Sequence, residues 1–108
     1  MRACLYVLIA AITPATVAAG TADDFNRGYR LAADKGCFDC HALGNSSVGP
    51  SFRAIAKRYR FNAQQPQRLP GVIRGGSAGH WGDRFVMWPQ PRLSDGEVRE
   101  LVDWVLSQ

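Results

Sequence analysis

The run Cys37-Phe38-Asp39-Cys40-His41 places two thiols three positions apart and an imidazole directly after the second. One turn of chain brings both sulfurs to the same side, where they can form thioether bonds to the two vinyl groups of one porphyrin. His41 can then lie under the ring and ligate its iron. The pattern predicts one covalently attached haem c, with Cys37 and Cys40 as the attachment points and His41 as an axial ligand. A redox dithiol or a zinc site could use similar residues. The first should follow a strand in a βαβ context, and the second needs further ligands, usually another pair at similar spacing. Neither context is present, because beyond residue 20 the chain holds only these two cysteines, His41 and a distant His80.

An iron that carries electrons normally takes a second axial ligand, and the candidates can be counted. With Met1 in the leader, Met87 is the one remaining thioether, His80 the one other imidazole, and Lys35 and Lys57 the only lysines. Met87 sits in Phe85-Val86-Met87-Trp88-Pro89-Gln90-Pro91, an apolar segment stiffened by two prolines. A rigid extended strap can press a side chain onto a haem face without a helix to carry it. Methionine is often a core filler, but a filler would more usually lie on a helical stripe. Met87 is the expected sixth ligand, with His80 or an exchangeable site as the alternatives.

The first residues bear on the compartment. Arg2 is a short positive start, Ala3 to Ile12 is an unbroken apolar run, and small residues end in Val17-Ala18-Ala19. This is the pattern of a signal peptide over residues 1–19, cleaved after Ala19, and it predicts export to the periplasm. An uncleaved anchor is the competing reading, but Thr13 and Pro14 interrupt the run short of the roughly 20 residues a spanning helix needs. Residues 20–108 then make one small domain, a size at which natural chains commonly add a staple, a metal or a cofactor.

The chain carries 13 basic and 9 acidic residues. A positive excess this small, without a dense basic patch or a docking motif, argues against nucleic-acid binding. Arg53, Lys57, Arg58 and Arg60 form the densest basic stretch, read as a solvated helix face or as a docking surface for an acidic redox partner.

Apolar spacing places the elements that must hold the iron. Asp23 to Lys35 reads as a helix with an apolar stripe of Phe25, Tyr29, Ala32 and Ala33, ended by Gly36. Ala42 to Gly49 reads as a polar loop. Pro50 is expected to open a second helix carrying Phe52, Ile55, Ala56 and Tyr59. Leu69 to Ile73 is a short helical piece, and Gly75 to Gly82, with four glycines, an irregular loop. Ser94 and Glu97 make a capping box for a last helix with Val98, Leu101, Val102 and Val105 on one face. No strand is compelling, so the expected class is all-α.

Taken in order, Gly36 to Ala42, Val48-Gly49-Pro50, Ile73 to Ser77 with Gly79, Trp81-Gly82, Met87 with its prolines, and Trp104 to Gln108 resemble one family. It is the class I monohaem c-type cytochromes, in particular the small bacterial cytochromes of the c-551 and c-552 kind. The resemblance implies the cytochrome c fold, short helices packed around one covalently bound haem. It also implies that the Pro50 carbonyl accepts a hydrogen bond from His41, that Trp81 donates to a haem propionate, and that the terminal helices cross, with Phe25 or Tyr29 meeting Leu101, Val102 or Val105. Three departures cluster at the methionine face. Trp88 follows Met87 where the family usually has proline, the segment between Trp81 and Met87 is one residue longer, and His80 replaces an apolar residue.

The expected function is that of a soluble, monomeric periplasmic one-electron carrier, not an enzyme, without stable membrane insertion. It would dock transiently with redox proteins: a respiratory donor on one side and a reductase, oxidase or peroxidase on the other. The alternative is a haem protein with an open or labile sixth site, a gas sensor or small peroxidase-like enzyme.

Overall fold

The computed structural model of the chain describes residues 20–62 and 66–108, so the expected leader lies outside the described residues. In chain order the elements are α1 (Ala22–Asp34), a 3₁₀ turn (Cys37–Asp39), α2 (Phe52–Tyr59), a second 3₁₀ turn (Pro66–Arg68), α3 (Leu69–Gly75), β1 (Ser77–Gly79), β2 (Gly82–Met87) and α4 (Asp95–Leu106). No helix among the described residues is long and apolar enough to cross a membrane.

Both terminal helices start on a capping box. Thr21 and Asp24 exchange side-chain and backbone hydrogen bonds at the start of α1, and Ser94 and Glu97 do the same for α4. Each box satisfies backbone N–H groups that a helix start otherwise leaves without partners. Gly36 ends α1 in the left-handed conformation, with φ 75°, which turns the chain directly into the Cys37–Asp39 segment.

Helix α4 is the hub, packing against α1, α2 and α3. Its predicted face of Val98, Leu101, Val102 and Val105 is buried, as are Phe52, Ile55, Ala56 and Tyr59 of α2. Trp104, which that stripe leaves out, is only 3% exposed. It meets Phe25, Tyr29, Phe38 and Phe52 at centroid distances of 6.3, 6.2, 6.1 and 4.8 Å. Tilted and edge-on pairs at such separations are the favourable aromatic geometries. The Trp104 Nε1 proton has no hydrogen-bond partner among the described residues, so this side chain is held by packing.

The crossing of α1 and α4 engages a residue outside the predicted stripe. Phe25 and Tyr29 of α1 both meet the ring of Trp104 on α4, whereas Ala33 is exposed. Gly28 is buried directly against the Cβ and Cγ of Trp104. A side chain there would hold the two helices apart, so the missing Cβ is what allows the contact.

Two further expectations are corrected. Pro50 does not open α2; Ser51 caps it, its Oγ accepting from Ala54 N at 3.1 Å, and Pro50 stands one residue earlier. The glycine-rich stretch is not wholly irregular either. Antiparallel β1 and β2 pair Ser77 with Met87, Ala78 with Val86 and Gly79 with Gly82, leaving His80 and Trp81 as the tip. Gly79 and Gly82 take φ of 79° and 95°, values few other residues tolerate, and so permit the tight reversal. The strand is masked in the sequence because Phe85 to Trp88 are all apolar, hiding the period-two alternation. The fold is thus mostly helical with one small sheet.

Candidate functional site

A cleft runs between the Cys37–Pro50 segment on one side and the hairpin with α3 on the other, floored by α2 and α4. Its lining includes Cys37, Cys40, His41 and Pro50, and across the opening Trp81, Phe85, Met87 and Trp88. Leu69, Ile73, Leu101, Val102 and Val105 complete a mainly apolar interior. The tertiary structure therefore brings together all six residues singled out from the sequence, although 46 positions separate His41 from Met87.

Backbone hydrogen bonds pin the Cys37–His41 segment. His41 N donates to Cys37 O at 2.9 Å, and Gly49 N to Cys40 O at 2.7 Å. Phe52 N reaches Ala42 O at 2.8 Å, which ties the loop to the first turn of α2. Together these bonds fold residues 41–50 back over the motif and deliver the Pro50 carbonyl to the imidazole.

His41 Nδ1 lies 2.6 Å from Pro50 O. A carbonyl can only accept, so Nδ1 carries the proton and the neutral ring keeps Nε2 as its free lone pair. Phe52 flanks the ring at a centroid distance of 5.2 Å. On the other side the space at Gly49 is just sufficient, since a Cβ there would lie 3.0 Å from His41 Cε1 and 3.2 Å from Nδ1. The imidazole is therefore fixed in tautomer, in tilt and in position.

Cys37 and Cys40 are free thiols, both half-buried. Burial pushes the Cys37 thiol above its ordinary value, against a smaller opposing effect of a backbone hydrogen bond. A redox-active dithiol requires the reverse, a thiolate favoured by a positive environment.

On the facing wall Met87 closes β2 and is partly buried, with Trp88 beside it 75% exposed. The base of the hairpin is anchored on α3. Gly76, with φ 73°, packs directly on the Met87 carbonyl, and Gln90 N donates to Ile73 O at 3.0 Å. Trp81 stands at the far end of the hairpin, under Arg58 and beside Tyr59.

The cleft is open on one side and mainly apolar, with a few polar groups converging on it, a lining that suits a planar apolar macrocycle. The donor set also suits it: two thiols on adjacent turns, an imidazole with a fixed free nitrogen, and a thioether opposite.

Gly28, Gly49, Ser51, Arg58, Gly76 and Gln90 are positioning residues that the sequence did not single out as such. A serine three residues before a backbone N–H at a helix start was a legible signal for Ser51. Gly28 offered none beyond a glycine in a helix interior, where that residue is costly unless something packs on it.

Comparison with known proteins agrees with this geometry. The cytochrome c family profile matches residues 25–108. The chain is 38% identical over 80 residues to cytochrome c-551 of Azotobacter vinelandii, covering 74% of this chain and 95% of that protein. It is 37% identical over 78 residues to cytochrome c-552 of Hydrogenobacter thermophilus, covering 72% and 78% respectively. Among solved structures, wild-type cytochrome c552 of Nitrosomonas europaea superposes with a TM-score of 0.67 at 35% identity, covering 73% of this chain and 96% of that one. With the attachment thiols, the oriented imidazole and the apolar cleft in place, the chain belongs to the cytochrome c family, as a class I monohaem c-type cytochrome that binds one covalent haem c.

Proposed function

We propose that the protein is an exported, soluble one-electron carrier that works in the periplasm between redox partner proteins and has no substrate of its own. Cys37 and Cys40 would hold the haem through thioether bonds, and His41 Nε2 and Met87 Sδ would ligate its iron. Bound there, the iron supplies a one-electron ferrous/ferric couple. The observation that carries this reading is the His41–Pro50 hydrogen bond of 2.6 Å, which commits Nδ1 and leaves Nε2 as the ligating atom.

The chain's residues serve the couple in three ways. The Pro50 carbonyl holds the imidazole in one tautomer and raises its donor strength. Leu69, Ile73, Leu101, Val102 and Val105 line the cleft with apolar surface, exclude water and favour the less charged, reduced state. Trp81 donates its indole N–H to a propionate at the mouth. Val48, Val86 and Trp88, all exposed and all on the cleft lining, offer a small apolar rim for transient docking.

A ferric absorption spectrum and a carbon monoxide titration of the ferrous protein test the assignment. The expected results are a far-red band from sulfur ligation, lost in Met87→Ala and kept in His80→Ala, and no carbon monoxide binding by the wild-type protein at neutral pH. The reverse dependence would make His80 the ligand. Rapid stoichiometric carbon monoxide binding would favour an open-site haem protein instead.

A further inference from the structure

The hairpin is anchored at its base by Gly76 and Gln90, but its tip has a different attachment. At Gly79 and Gly82 a Cβ would meet nothing within 4 Å, so the backbone on either side of His80-Trp81 stands in open space. One side chain reaches both tip residues. Arg58 of α2 donates from Nη1 to the His80 carbonyl at 2.6 Å, and its guanidinium carbon lies 4.5 Å above the centre of the Trp81 ring. Tyr59, the next residue along α2, supports Trp81 from a centroid distance of 6.3 Å.

From this arrangement we infer that Arg58 is the latch of the hairpin, a positioning residue that holds Trp81 and the tip closed over the mouth of the cleft. Two features of the guanidinium suit it. It is planar, so it can stack on an indole face, and it carries donors in the same plane that can bond a carbonyl beside that ring. A lysine ammonium offers a similar charge but cannot satisfy both at once. With the latch undone, the tip loses its bond to α2, Trp81 is free to swing, and water gains access to the apolar cleft from the mouth. Exposure to water favours the more charged, oxidised state of a buried redox centre, so the reduction potential falls.

The inference about potential rests on the carrier reading; the inference about the tip does not. Both are tested on the haem-loaded protein with Arg58→Gln and Arg58→Lys, by amide hydrogen exchange and by the midpoint potential. Exchange at residues 78–82 should accelerate roughly five- to tenfold in Arg58→Gln, the size expected for an exposed charge-assisted bond plus a cation–π contact. Amides of α1 and α4 should keep their wild-type rates, which excludes a general loss of stability. The potential should fall in both variants. A fall in Arg58→Lys separates positioning from charge, because that variant keeps the charge.

Unchanged tip exchange in Arg58→Gln overturns the latch. So does wild-type behaviour of Arg58→Lys in both readouts, which reduces Arg58 to a charge near the mouth. If the wild-type protein shows no reversible one-electron couple, the carrier reading fails, and the exchange rates alone still decide whether Arg58 holds the tip.

Discussion

Gly28→Ala adds a single methyl group, yet it strikes one of the two tightest glycine contacts among the described residues. The new Cβ would overlap Cβ and Cγ of Trp104 and lie 2.8 Å from Cδ1, whereas ordinary contact begins at 3.4 Å. The obstructing atoms sit at the root of a side chain that is 3% exposed, so they cannot rotate away. Relief requires α1 and α4 to part by more than half an ångström, which disturbs the stacking of Trp104 on Phe25, Phe38 and Phe52. Overpacking of this kind costs about 1–3 kcal/mol, and the buried setting puts it at the upper end. Alanine recovers up to about 1 kcal/mol of helix propensity, for a net loss of about 2 kcal/mol. In a domain of this size that lowers Tm by about 8–16 °C. Gly96→Ala is the control: its Cβ would meet only Ser94 Oγ, at 3.9 Å, so the same chemical change should raise Tm slightly. Thermal denaturation of the haem-loaded protein, followed by far-ultraviolet circular dichroism, reads both. A Gly28→Ala protein that melts at or above the wild-type temperature would refute the close crossing.

Three other outcomes are expected. Gly76→Ala, at φ 73° and pressed on the Met87 carbonyl and Pro89, should displace the base of the hairpin and weaken or abolish the far-red band, as the ferric spectrum will tell. Gly49→Ala crowds His41 Cε1 and Nδ1 and should stretch the bond to Pro50; a weaker imidazole donor raises the midpoint potential, measured by redox titration. Glu97 is held below its ordinary carboxylate range by Lys35 first and by the Ser94 N–H next, and Asp24 by its bonds to Thr21. A lowered native pKa stabilises the fold above the unfolded-state value, and that contribution disappears as pH falls through the native value. Stability should therefore be flat near neutrality and decline below the ordinary carboxylate range. Glu97→Gln should flatten that decline in acid-dependent denaturant melts.

What could be read without coordinates was local. Helix starts depend on residues three apart, so Ser94 with Glu97 marked α4 correctly, and Gly36 marked the end of α1. The apolar faces of α2 and α4 follow from a 3.6-residue period and appear as expected, and the Cys37–His41 run carries the haem attachment within five residues. The hairpin was less visible, because its pairing depends on two positive-φ glycines and its second strand lacks alternation.

Contacts between segments distant in sequence belong to a different class. The amino-acid order by itself determined the cofactor, its attachment and most of the helices, since each depends on side chains within a turn or two of one another. Only the tertiary structure decided that Gly28 is the helix crossing, that Trp104 is the centre of the aromatic cluster, and that Arg58 reaches across 22 residues to the His80 carbonyl. Those choices come from shape and reach between packed surfaces, and no spacing along the chain encodes them.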